Sequence, residues 1–119
     1  MLIYTTYFAK LNKLPKDVVP IAICGKVPEW YTGLRYKPLA PKYTFFMEWK
    51  KNRDNNYYID HFNKEVLDKL DANEVVNDLL TLSNGRIFAL VCYEKPAEFC
   101  HRHLVADWLI DNGYVCDEF

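Results

Sequence analysis

The chain has 119 residues, half of them apolar and 16% aromatic, with a formal net charge of −1. That length suits one domain, residues 1–119, with ample apolar mass for a packed core and too much for a disordered chain. Near-neutral charge removes any global drive toward nucleic acid or acidic membranes, and no apolar run approaches the roughly 20 residues of a membrane span.

The opening Met1–Tyr7 has no basic segment followed by a long apolar one, so no export signal is read there. The four cysteines are therefore expected as reduced thiols in a cytoplasmic protein rather than as a disulfide framework.

Leu2 to Phe8, rich in β-branched and aromatic residues, predicts a first strand. Asn12 to Lys16 is a polar connector around Pro15. Val18 to Cys24 is a short, nearly continuous apolar run, as in a strand covered on both faces of a parallel sheet. Gly25-Lys26 ends it. Val27 to Lys42 reads as a long loop, ordered because Trp30, Tyr31 and Tyr36 suit a disordered one poorly.

Pro41 is placed to open a helix at its first position. Phe45, Phe46 and Trp49 follow along it, and it should end near Arg53-Asp54-Asn55. The basic cluster Lys50-Lys51-Asn52-Arg53 then marks a solvated helix C-terminus, where cations complement the dipole.

A second helix is expected from Tyr57 to Leu70, with Tyr58, Phe62, Val66 and Leu70 on one stripe. Asp71-Ala72-Asn73-Glu74 has capping-box form and predicts a third helix from Ala72 to Leu82. Arg86 to Tyr93 is the clearest strand. A helix beginning at Ala97 or Phe99 and ending at Asp111 follows, and Tyr114 to Phe119 forms a terminal strand. The order β-β-α-α-α-β-α-β predicts an α/β fold, a small three-layer sandwich with a largely parallel sheet of about four strands, Rossmann-like. The order of strands within the sheet is not readable.

The turn from Val91 to His103 gathers two thiols, two imidazoles, an arginine and acidic groups where a strand ends and a helix begins. Ligands bind at such turns in α/β proteins. On a helical projection His101 falls within the apolar arc of Leu104, Val105, Trp108 and Leu109, with Arg102 on its border. Cys100, His103, Asp107 and Asp111 fall on the polar arc. His101 and His103 diverge by about 160°, which argues against a metal site built from both.

His101 is placed as an acid, a base or a donor to an anion, or else as a histidine satisfied by a buried carbonyl. Arg102 could clamp a phosphate or carboxylate, or pair with Glu94 or Glu98. Cys100 stands where a thiolate would be stabilised. A tyrosine-phosphatase-type loop is disfavoured, since Ala106 after Cys100 and Glu98 after Cys92 occupy the positions that need an arginine. Zinc gains no support from spacing, because seven residues separate Cys92 from Cys100, against the two to four usual in structural pairs. No metal site is therefore expected. Neither common Gly-rich nucleotide fingerprint is present, and the residues leave any cofactor unknown.

Cys92-Tyr93-Glu94-Lys95, followed by Cys100-His101-Arg102 and Leu104-x-Ala106-x-x-Leu109, resembles a bacterial and phage family, that of domain of unknown function 488. Its hallmark is an apolar strand ending in Cys-x-Glu, then Cys-His-Arg opening the last helix. Gly33-Leu34-Arg35-Tyr36-x-x-Leu39 and Ile3-Tyr4-Thr5 resemble two further segments of that family. Many members resemble one another in carrying Asp-x-Arg where this chain has Ala22-Ile23-Cys24, so that pair is either lost here or replaced by Lys26. The resemblance implies an α/β fold and a shared pocket around Cys92, Glu94, Cys100, His101 and Arg102. It carries no settled reaction with it.

Together these readings predict a polar pocket at the strand C-termini that binds or processes a nucleotide or other phosphate-bearing small molecule. His101, Cys100 and Glu94 are the catalytic candidates, and Arg102, Cys92, Lys26, Thr5 and Tyr36 the ligand-binding ones. The expected partner is a small anion, not a membrane or nucleic acid. The rival is a non-enzymatic protein-interaction module, for instance a phage-encoded inhibitor, presenting Trp30, Tyr31 and Tyr36. The residues alone do not decide whether the protein is an enzyme.

Overall fold

A computed structural model describes residues 1–119. The first apolar segment forms strand β1 (Leu2–Tyr7), which passes directly into a 3-10 turn at Phe8–Lys13. The second forms β2 (Val19–Ala22), and the Ile23 amide extends its ladder by donating to the Val91 carbonyl at 3.1 Å. The loop expected over Val27 to Lys42 contains two short elements, strand β3 (Leu34–Arg35) and a 3-10 turn at Lys37–Leu39. Tyr31 organises it, donating its hydroxyl to the Leu34 carbonyl at 2.6 Å. Gly33 makes room for that ring, since a Cβ there would lie 2.7 Å from the Tyr31 hydroxyl oxygen.

Helix α1 (Tyr43–Asn52) starts after Pro41, with Lys42 as its N-cap, and stops at Arg53 in the left-handed conformation, φ 53°. Asp54 immediately caps α2 (Asn55–Glu65), accepting from the amides of Asn56 and Tyr57. This helix ends sooner than the stripe to Leu70 predicts, because the chain tightens into a 3-10 turn at Leu67–Lys69. Helix α3 (Ala72–Leu82) has the expected bounds, and Asp71 accepts from the Asn73 and Glu74 amides. Strand β4 (Phe88–Cys92), helix α4 (His101–Asp111) and strand β5 (Val115–Glu118) complete the chain. No helix is long and apolar enough to cross a membrane.

The five strands form one sheet in the order β3-β2-β4-β1-β5, every pair parallel. The strand beyond the expected four is β3, two residues long and hidden in the loop. Insertion of β4 between β1 and β2 gives an order different from the classic dinucleotide-binding sheet. All five β4 residues are buried, as its central place requires.

From β1 the chain moves one way along the sheet to β2 and β3, then reverses to β4 and β5. Right-handed crossovers put connections running in opposite directions on opposite faces. Accordingly, all four helices join one apolar cluster with Ile3, Ile21, Phe88 and Leu90. The other face is covered by the 3-10 turn after β1 and the loop after β2, with Phe8 and Tyr31 against Ala22 and Val91. The third layer is thus built of turns rather than helices.

Candidate active site

Neighbouring strands β2 and β4 send their continuations to opposite faces, so their C-terminal ends part. Such a reversal point is where parallel sheets hold ligands. A cleft of about 730 Å³ opens there, lined by Cys24, Gly25 and Lys26 after β2 and by Cys92, Tyr93 and Glu94 at the end of β4. The start of α4 adds its N-cap Cys100 and first residue His101, while α1 contributes Phe46, Trp49, Lys50 and its C-cap Arg53, and α2 contributes Tyr58. The floor is the buried trio Cys92, Cys100 and His101. Lys26, Lys50 and Arg53 are exposed at the cleft's edge.

Cys100 is buried although the helical projection put it on the polar arc. It is the N-cap, with extended backbone (φ −153°, ψ 141°), so helical geometry begins only after it. His101 is fixed at both nitrogens. Its Nε2 lies 2.7 Å from the Ile23 carbonyl oxygen. A carbonyl only accepts, so Nε2 carries the hydrogen and donates. Nδ1 is left facing Cys92 Sγ at 3.5 Å.

The two thiols share their protons unequally. Hydrogen bonding from Cys92, aided by His101, holds the Cys100 thiol far below its ordinary range despite burial. Cys92 is pushed up by the same hydrogen bond and by burial. Burial also raises the Glu94 carboxyl, reinforced by the negative charge on Cys100. Cys92 Sγ also lies 3.6 Å from Glu94 Oε2, which brings the carboxyl beside the thiols. Cys24, on the β2 side of the cleft, is pushed up to about 11 by burial. Thiol, imidazole and carboxyl thus meet on one apolar floor, the composition that nucleophilic, acid–base and metal chemistry draw upon.

Three expected ligand-binding residues lie elsewhere. Arg102 has no exposed surface. Its Nε and Nη2 grip both Glu118 carboxylate oxygens at 3.1 and 2.9 Å, and Nη1 donates to the Glu94 carbonyl at 2.6 Å. Burial lowers the guanidinium's pKa, but the Glu118 pair more than restores it. Thr5 belongs to the same network, its hydroxyl donating to Glu118 Oε1 at 2.6 Å. Tyr36 is buried in the main core with its hydroxyl on Asp78 Oδ2 at 2.6 Å, beside a separate recess that includes Arg35, Lys37 and Thr81. The network to β5 required a sheet order that the sequence hides.

His103, expected on the polar face, is half-buried, and its Nε2 is covered without a hydrogen-bond partner.

Sequence reasoning missed the cleft's aromatic wall and two of its cations. One signal was available: Phe45 and Phe46 are adjacent, hence about 100° apart on a helix, and cannot serve the same face. Phe45 is buried in the core, whereas Phe46 is half-buried and faces the cleft. Arg53 lies over the Trp49 ring at 4.6 Å and Lys50 over the Phe46 ring at 5.1 Å, which draws both charges to the cleft wall.

The family model described as the active DUF488-N3 subclade matches residues 7–113. No curated protein and no solved structure matches the chain.

Proposed function

This chain belongs to the domain of unknown function 488 family, and on that footing we propose that its cleft binds and processes a nucleotide or another phosphate-bearing small molecule. The observation that carries the reading is one cleft combining aromatic walls, a cationic edge and a buried thiol–imidazole floor. Half-buried Phe46 and Phe99, backed by the buried Trp49 and Tyr58, give the cleft an apolar aromatic wall against which a base can pack. Lys26, Lys50 and Arg53 offer the positive charge that a phosphate seeks.

Cys100, His101 and Glu94 remain the proposed reacting groups, with Cys92 beside them. Lys26 is a proposed ligand contact, while Arg102 acts as a positioning residue that pins the Glu94 carbonyl. The word "active" in the matching subclade's description supports a reaction over binding alone. The interaction-module reading loses most of its surface, since Tyr31 and Tyr36 are buried and Trp30 alone of that trio is exposed.

The test is calorimetric titration with a panel of nucleotides and sugar phosphates at low salt. A member of the panel should bind. Reversing charge in the Lys50→Glu/Arg53→Glu double variant should weaken it at least about tenfold, and salt should erase part of the difference. If no member binds the folded protein, or the double variant binds as the wild type does, the reading is wrong.

A further inference from the structure

Cys92, Cys100 and His101 bring one donor atom each into a single cluster. Cys92 Sγ, Cys100 Sγ and His101 Nδ1 all lie within 4.8 Å of one another. Two soft sulfurs and one imidazole nitrogen are the donor set that suits zinc. A tetrahedral ion with Zn–S near 2.3 Å and Zn–N near 2.05 Å requires an S···N separation of about 3.5 Å and an S···S separation of about 3.8 Å. Cys92 Sγ and His101 Nδ1 are 3.5 Å apart. The widest pair needs to close by no more than about 1.3 Å, a small side-chain adjustment.

The surroundings match a metal centre as well as the distances do. A ligating histidine is normally fixed by a hydrogen bond from its other nitrogen, which sets the tautomer and aims the ring. His101 Nε2 has that bond, to the Ile23 carbonyl at 2.7 Å. A disulfide between the two cysteines would make no use of this aimed imidazole. Charge is also balanced, since two thiolates neutralise a divalent ion in a site where all three ligands are buried.

We propose that Cys92, Cys100 and His101 bind one zinc ion, with the fourth coordination position open to the cleft. Binding releases the proton held by Cys92 to solvent and leaves both sulfurs as thiolate ligands. Three protein ligands with one free position is the arrangement of catalytic rather than structural zinc. Glu94, whose carboxylate lies 3.6 Å from Cys92 Sγ, stands beside the ion without being needed as a ligand. With zinc held, the floor's chemistry passes from thiol attack to a water or substrate oxygen at the open position. The inference rests on the three donors alone and is independent of what the cleft binds.

The test is metal analysis of protein expressed with zinc, dialysed in metal-free buffer with a reductant, and followed by plasma mass spectrometry. Wild type should retain about one zinc per chain, and the cobalt-substituted protein should show a thiolate-to-metal charge-transfer band. Cys92→Ser, Cys100→Ser and His101→Ala should each lower occupancy at least about tenfold, whereas Cys116→Ser, outside the cleft, should not. Circular dichroism identifies any variant that fails to fold. For such a variant, loss of the cobalt band on chelation of wild type, and its return with added cobalt, replaces that readout. Folded wild type that takes up no zinc or cobalt overturns the proposal. So does full zinc occupancy in a folded Cys92→Ser/Cys100→Ser double variant. Loss of two titratable thiols in the absence of reductant, with no metal bound, would overturn it in favour of a redox pair.

Discussion

Arg102 brings a permanent charge into the interior, and Glu118 answers it with both carboxylate oxygens at the sheet edge. Removing one partner of such a pair strands the other, which typically costs about 3–5 kcal/mol. The Glu118 side chain keeps 26% of its surface exposed, so water recovers part of the loss and the low end applies. Arg102→Ala should therefore lower the unfolding free energy by about 3 kcal/mol in urea titrations. Arg102→Lys should recover only part of it, because an ammonium cannot make the two-pronged contact. A change under about 0.5 kcal/mol in the alanine variant would refute the structural role. His101, one residue earlier, is restrained differently, with Nε2 on the Ile23 carbonyl and Nδ1 facing the Cys92 thiol. The tripeptide Cys100-His101-Arg102 thus places its first two side chains on the cleft floor and its third in the scaffold.

Helix starts depend on a few local groups, which explains why some were readable and others were not. Asp54 and Asp71 each accept two amides that would otherwise lack partners. Asp54→Ala and Asp71→Ala should each cost about 1 kcal/mol, measured by urea or thermal unfolding. An unchanged midpoint in both would show that packing alone holds those helix starts. The Asp71 cap was legible because side chain and acceptor geometry are local to four residues. The early end of α2 was not, since Val66 and Leu67 stay buried after the helix has tightened and keep the apolar pattern running. Strand β3 escaped notice because two residues carry no periodicity, and it exists through pairing with Ile21 and Ala22. In β4 the reverse holds. Its unbroken apolar run announced a central strand, and Leu90→Ala there should cost about 2–5 kcal/mol through the cavity it leaves.

Across the whole molecule, several buried groups hold their protons more tightly folded than unfolded. Burial raises the Tyr31 phenol from 10.0 to about 12. Tyr36 is raised further, by burial and then by its hydrogen bond to Asp78. A raised folded pKa contributes stability that is complete below the unfolded value, about 10, and is lost as pH climbs past it. Chemical stability should therefore fall above about pH 10, and Tyr36→Phe should flatten part of that alkaline limb. Parallel curves for wild type and variant between about pH 9 and 12 would contradict this.

The sequence by itself determined the α/β class, most elements, and the gathering of thiols, imidazoles and charged groups at one strand-to-helix turn, because periodicity, caps and apolar runs are local. Only the tertiary structure decided that β4 lies between β1 and β2, that the cleft opens where the chain reverses direction, and that Arg102 belongs to the scaffold. It alone joined Cys92 to Cys100 and His101 across seven intervening residues. Spacing along a chain measures distance only within one element. Across a turn, separation is set by where sheet and helix meet, and that depends on contacts made by the whole fold.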